Sequence, residues 1–77
     1  MFKAYLNLKK GLLLPSNFAP GSEVQRVASA PEEMRQSWTV ETDDLVELIR
    51  SLQKHSELFI EWAIILDGKR LVCAYRS

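Results

Sequence analysis

The feature that most constrains this chain is an Asp-Gly dipeptide between two apolar, β-prone segments. Residues 58–66 and 69–76 flank Asp67 and Gly68, and the first segment holds a single charged residue, Glu61. Such a pair is a strong hairpin signal, because a two-residue turn needs positive φ at both positions, which Gly adopts freely and Asp tolerates. We therefore predict a C-terminal β-hairpin over about residues 58–76.

The predicted turn fixes a register, with Leu66 opposite Lys69 and Ile65 opposite Arg70. Directly opposed residues share a face of a sheet. One face is then suited to a core, and it carries Ile60, Trp62, Ile64, Leu66, Leu71, Cys73 and Tyr75. The other face carries Phe59, Glu61, Ala63, Ile65, Arg70, Val72, Ala74 and Arg76.

The second face is more apolar than a solvent-exposed sheet surface should be. A half-buried antiparallel strand normally alternates between apolar and polar residues. Here Glu61 is the one acid in the middle, and it lies close enough to Arg76 for a diagonal ion pair. We therefore expect that another part of the chain or a partner covers this face.

Two further elements can be predicted from periodicity. Phe2–Leu8 alternates apolar and polar residues, which predicts a half-buried antiparallel strand. Residues 42–55 predict a helix, with Thr42 as N-cap and a Glu47–Arg50 pair at i,i+3. The apolar stripe of this helix, widened by Val46, consists of Leu45, Leu48, Ile49 and Leu52.

The middle of the chain is less clearly patterned. Residues 11–30 are rich in turn formers and predict a long loop, which is either a functional segment or a connector with Phe18 plugged into the core. Residues 24–28 give only a weak strand signal. Around Trp38 a β-prone pattern favours a strand, against the alternative of a short helix from Ala30 to about Gln36.

Together these elements predict one small α+β domain over residues 1–77. An antiparallel sheet of about four strands is covered on one face by the helix at about 42–55, giving a two-layer sandwich. The single helix cannot cover both faces of the sheet. The face with Ile65 and Val72 therefore stays open unless residues 11–30 fold over it.

Composition limits the classes of function that this chain could have. The chain has 77 residues with ten basic and ten acidic side chains, so its formal charge of zero argues against a general nucleic-acid binder. One cysteine cannot form an internal disulfide and is typical of a reducing compartment. No apolar run is long enough to span a bilayer and no leader pattern is present, so we expect a cytoplasmic protein without membrane contact.

Catalytic and cofactor signals are weak. His55 and Cys73 occur once each, and the predicted burial of Cys73 against Trp62 would make its thiol inert. The acidic group Glu41, Asp43, Asp44 and Glu47 is explained by the N-terminus of a helix, which favours anions. The three glycines are isolated, without a phosphate-binding pattern. We predict no catalytic residue, no metal and no cofactor.

Three classes of function remain, and a non-catalytic protein-binding module is the best supported. Such a module, acting as an adaptor, regulator or inhibitor, would dock through the apolar, arginine-rimmed face or the 11–30 loop, and homodimerisation is a close variant. The alternative is a sheet face that binds single-stranded nucleic acid, and a small enzyme ranks third. The predicted protein-binding residues are Phe18, Phe59, Glu61, Ile65, Arg70, Val72 and Arg76.

Overall fold

The computed structural model describes residues 1–30 and 35–77. Within these residues a five-stranded antiparallel sheet has the spatial order β2-β3-β1-β4-β5. The strands are β1 (Phe2–Leu8), β2 (Glu23–Ala30), β3 (Arg35–Thr42), β4 (Phe59–Leu66) and β5 (Arg70–Arg76). One helix, α1 (Leu45–Lys54), lies on one face, and a 3-10 turn (Ser56–Leu58) leads from it into β4. The predicted two-layer α+β architecture is confirmed.

The sheet has one strand more than predicted, because β2 lies inside the segment expected to be a loop. The loop prediction for residues 11–30 is therefore wrong from Glu23 onward. β2 is an edge strand whose Glu23, Gln25 and Arg26 are exposed, so it lacks the apolar pattern of a buried strand. Its conformation depends on ladder hydrogen bonds to β3, which local sequence does not reveal.

β3 confirms the strand expected around Trp38. The competing helix from Ala30 to about Gln36 is wrong at its two ends, since Ala30 closes β2 and Gln36 belongs to β3. Its central part, residues 31–34, lies outside the described residues.

The core lies between α1 and the middle of the sheet. Its fully buried side chains come from the central strands, the helix and the connecting segments: Ala4, Leu6, Leu8, Phe18, Ala19, Val40, Leu48, Leu52, Phe59 and Ile64. A helix is about 10 Å wide and strands lie about 4.8 Å apart, so one helix covers two or three strands. The outer strands therefore extend beyond the helix, and β5 contributes only Cys73 to the edge of the core.

The helix is shorter than predicted. It begins at Leu45, and the N-cap is Asp44, whose Oδ1 accepts the Glu47 N–H at 3.0 Å. Thr42, the predicted cap, ends β3, and its hydroxyl accepts the Asp44 N–H at 3.0 Å. The pair between Glu47 and Arg50 is confirmed, with 3.6 Å between the charged groups. Val46 is 66% exposed, so its assignment to the apolar stripe is wrong.

The segment between β1 and β2 closes one end of the core. Phe18 is 3% exposed, and its ring lies 5.9 Å from the rings of both Phe59 and His55. Leu14 packs against the same core, whereas Leu13 is exposed. This part of the chain is the core-plugging connector that the sequence left as one of two options, and it lies on the helix side of the sheet.

Candidate functional site: the open face of the sheet

The hairpin turn forms as predicted, but the register beyond it does not. Asp67 and Gly68 have φ of 51° and 71°, and the Lys69 N–H donates to the Leu66 carbonyl at 3.0 Å. The ladder then pairs Leu66 with Arg70, where Lys69 was expected. A second shift follows, between Ile64 and Ile65.

These two shifts change which side chains share a face. Near the turn the register is displaced by one residue, so Leu71 joins the face of Ile65 and Arg70 joins that of Leu66, the reverse of the prediction. After the second shift the displacement is two residues, which restores the original faces. Cys73 therefore lies opposite Ile64, on the core face as expected. A pairing irregularity of this kind involves only one or two residues, so the apolar pattern of the sequence does not predict it.

The sheet surface opposite α1, here called the open face, is organised in rows around β1. Lys3, Tyr5 and Asn7 point to this face, and each has a directly opposed neighbour on β3 and on β4. On the β3 side the neighbours are Glu41, Thr39 and Ser37; on the β4 side they are Ile65, Ala63 and Glu61. The open face is thus polar on the β3 side and apolar toward β5.

The apolar half forms a continuous surface that we call the hairpin patch. Ala63, Ile65, Leu71 and Ala74 belong to it by their pairing, and Val72, the extra residue between Leu71 and Cys73, belongs to it by its alternation with Cys73. Leu71 is 60% exposed and Val72 38% exposed, although both are aliphatic. Beside the patch, a shallow depression of about 530 Å³ is lined by Tyr5, Ala63 and Ala74, with Glu61 and Arg76 at its end. Small floor residues beside an exposed aromatic ring leave room for a side chain of another molecule.

A chain of hydrogen bonds crosses four strands at one end of the open face. The Ser37 hydroxyl donates to Asn7 Oδ1 at 2.6 Å, and Asn7 Nδ2 donates to Glu61 Oε1 at 2.9 Å. Arg76 donates to Glu61 Oε2 from Nε at 3.2 Å and Nη2 at 3.1 Å. These bonds, from Asn7 first and Arg76 second, hold the pKa of Glu61 below its ordinary value.

Two of the predicted binding residues are buried in the core and do not reach the open face. Phe18 is buried in the core, and Phe59 is completely buried. The placement of Phe59 is wrong because the pairing of β1 with β4 shifts between Asn7 and Leu8, so that Phe59 lies opposite Leu8 on the helix side. Neither aromatic ring is accessible to a partner in this conformation.

The remaining predicted residues divide between surfaces. Glu61, Ile65, Val72 and Arg76 lie on the open face, and the expected ion pair between Glu61 and Arg76 is confirmed at 3.1 Å. Arg70 is exposed but shares the face of Leu66, so its assignment to the rim of the open face is wrong.

Sequence reasoning missed several contributors to the open face, including Glu41, which lies in β3 opposite Lys3 and does not belong to the helix N-terminus. Leu71 was assigned to the core, and Asn7 and Ser37 were not considered as partners of Glu61. A signal existed for Asn7, because it continues the outward alternation of Lys3 and Tyr5. No local signal existed for Ser37 or Leu71, since their positions depend on strand pairing.

Charges on the open face are largely paired with one another. Lys3 Nζ lies 3.5 Å from Glu41 Oε1, and it also lies 5.4 Å from the centre of the Tyr5 ring. Arg76 is paired with Glu61 as described above. Because the two cations described on this surface, Lys3 and Arg76, both face carboxylates, this part of the surface is poorly suited to the repeated phosphates of a nucleic acid.

Across residues 1–30 and 35–77 no three His, Cys, Asp or Glu side chains converge as a metal site would require. No helix in the same ranges is long and apolar enough to cross a membrane. Partial burial raises the pKa of the Cys73 thiol, which lowers its reactivity.

Comparisons of this chain with protein-family models, with curated proteins and with solved structures found no match.

Proposed function

We propose that this chain is a non-catalytic protein-binding module that docks through the hairpin patch. The supporting observation is the exposure of aliphatic side chains, above all Leu71 at 60%, on a strand that α1 does not cover. An exposed apolar surface with a polar rim is typical of a protein interface. Here the rim is the hydrogen-bonded group of Asn7, Glu61 and Arg76.

A protein partner explains the open face better than nucleic acid does. Stacking of bases would use Tyr5, which is 48% exposed, but its neighbour Lys3 is paired with Glu41. Apolar side chains such as Leu71 and Val72 offer no hydrogen bonds to bases. We also propose a cytoplasmic location, for which the single unpaired thiol Cys73 is the support.

The test compares two aspartate substitutions at equally exposed aliphatic positions. Leu71→Asp alters the hairpin patch, and Val46→Asp alters the solvent side of α1, where the wild-type side chains are 60% and 66% exposed. Proteins retained by the immobilised wild-type chain are identified, purified and measured again with each variant by calorimetry. We expect Leu71→Asp to weaken binding at least tenfold and Val46→Asp to leave it within twofold.

Thermal unfolding of both variants controls for loss of the fold, and both should unfold near the wild-type temperature. Equal binding by Leu71→Asp and the wild type would contradict the proposal. A homodimer is tested separately by sedimentation, where a monomer at high concentration would exclude self-association through the patch.

A further inference from the structure

β5 is an edge strand with one unpaired side. In the described part of the chain it pairs with β4 alone. The Ser77 N–H donates to the Ile60 carbonyl at 2.8 Å, so alternation along the strand directs the backbone groups of Tyr75 toward β4 as well. The backbone groups of Ala74 and Arg76 therefore point away from the sheet, where they can pair with a further strand.

This edge lacks most of the devices that protect natural edges from pairing. Proteins blunt edge strands with proline, very short strands, inward-pointing charges or a covering element. β5 is seven residues long, contains no proline and is exposed along its whole length except at Cys73. Its irregularity lies at Val72, two residues before Ala74, and the stretch from Cys73 to Arg76 pairs regularly with β4.

The charges along β5 define what kind of strand fits. Arg70 and Arg76 stand at its two ends, and the residues between them are apolar or aromatic. Within the described residues no carboxylate lies within 4.0 Å of Arg70, and the Arg76 side chain is 80% exposed despite its bond to Glu61. An added strand with acidic ends and an apolar centre would complement this pattern.

We propose that the β5 edge binds an extended segment of a partner protein as an added antiparallel strand, with small or β-branched residues in its centre and an acidic residue at each end. This inference rests on the proposed function and names the partner's chemistry. Main-chain hydrogen bonds to Ala74 and Arg76 would supply affinity. The arginines would supply selectivity: Arg70 through its charge, and Arg76 through the guanidinium N–H groups that do not bind Glu61.

A second copy of this chain fits the same edge poorly. An antiparallel pairing of two copies centred on Cys73 would bring Arg70 to the same end as Arg76 of the second copy, on opposite faces of the sheet, at both ends of the pair. Each end of such a pair would hold two arginines, so it lacks the charge complementarity that an acidic segment provides. An offset register separates the arginines but leaves residues at both strand ends unpaired.

The probe is a displayed library of random peptides long enough to span β5. We expect the recovered peptides to alternate apolar residues between acidic ends. A synthetic peptide with the consensus sequence should shift the amide resonances of Ala74 and Arg76. Replacing the acidic residue at each end of the peptide by lysine should weaken its binding roughly tenfold at low salt.

Two substitutions test the geometry. Ala74→Pro removes an outward N–H without removing a bond to β4, which an edge strand tolerates, and it should abolish peptide binding. Its control, Ala74→Thr, keeps the N–H and should bind within about threefold of the wild type.

Arg70→Glu should remove the preference for an acidic residue at one end of the peptide. Lys54→Glu on α1 makes the same charge change and should leave that preference intact.

Each alternative outcome is decisive. Recovery of no peptide, or equal binding by Ala74→Pro and Ala74→Thr, would overturn the strand-addition proposal. Peptides that instead shift resonances around Tyr5 and Ala63 would overturn it while leaving the hairpin patch as a docking surface. If, in addition, Leu71→Asp does not affect protein binding, the proposed function itself fails.

Discussion

β1 and β5 are strands of equal length, seven residues each, and both consist largely of apolar and aromatic residues. Ala4, Leu6 and Leu8 of β1 are completely buried or nearly so. In β5 only Cys73 is partly buried, and every other residue is exposed. Two strands of similar composition thus occupy opposite environments in one small sheet.

Position in the sheet accounts for the difference. β1 is the central strand, pairs with β3 and β4, and lies under α1. Among residues 1–30 and 35–77, β5 has a neighbouring strand on one side only, and it lies beyond the reach of α1. Apolar composition alone therefore does not predict burial, and the apolar residues on the uncovered strand are the ones that suggest a partner.

The largest expected effect in this comparison is in hydrogen exchange. Central β1 amides such as those of Ala4 and Leu6 should exchange only through global unfolding, which for a stability of about 5 kcal/mol slows exchange by more than three orders of magnitude. The outward amides of Ala74 and Arg76 should exchange nearly as fast as in a peptide. Equal protection of both sets, measured by NMR at low concentration, would show that β5 is already covered.

A substitution in each strand should separate them by several kcal/mol. Leu6→Ala empties a site that is 1% exposed and should lower the free energy of unfolding by about 2–5 kcal/mol. Leu71→Ala, at a site 60% exposed, should change it by about 0.5 kcal/mol or less. Urea denaturation measures both, and a large loss from Leu71→Ala would mean that the hairpin patch stabilises the isolated fold.

A smaller difference in stability is expected between two members of the hydrogen-bond network on the open face, Asn7 of β1 and Arg76 of β5. Asn7→Ala removes the acceptor of the Ser37 hydroxyl and the donor to Glu61 Oε1, while Arg76 still donates to Glu61 Oε2, and it should cost about 1–2 kcal/mol. Arg76→Ala removes an exposed ion pair and should cost at most about 1 kcal/mol. Equal losses of unfolding free energy in the same denaturation assay would argue against Asn7 as the centre of this hydrogen-bond network.

The smallest expected effect is a pH dependence carried by Glu61. Its pKa lies below the ordinary value of 4.5, because Asn7 and Arg76 stabilise the carboxylate in the folded state. Its contribution is therefore present above pH 4.5 and is lost as the pH falls through the lower folded-state value. The stability difference between the wild type and Glu61→Gln should shrink with acidification, and a constant difference would contradict this assignment.

Local sequence predicted the elements whose pattern repeats over several residues. The alternation of Phe2–Leu8, the helical stripe around Leu48 and Leu52, and the Asp67–Gly68 turn all appear in the structure. β2 was missed because an exposed edge strand needs no apolar pattern. The site was predicted only in part, since Ile65, Val72, Glu61 and Arg76 lie on the open face but Phe59 and Phe18 do not.

By itself, then, the sequence determined an α+β fold, a tight hairpin and a surplus of apolar residues within that hairpin. Periodicity and turn chemistry are local properties, so a single chain reveals them. Tertiary structure decided which of those apolar residues are buried. Pairing irregularities moved Phe59 into the core and Leu71 onto the open face, and the width of one helix left β5 uncovered. These outcomes depend on contacts between distant strands, which no short stretch of sequence specifies.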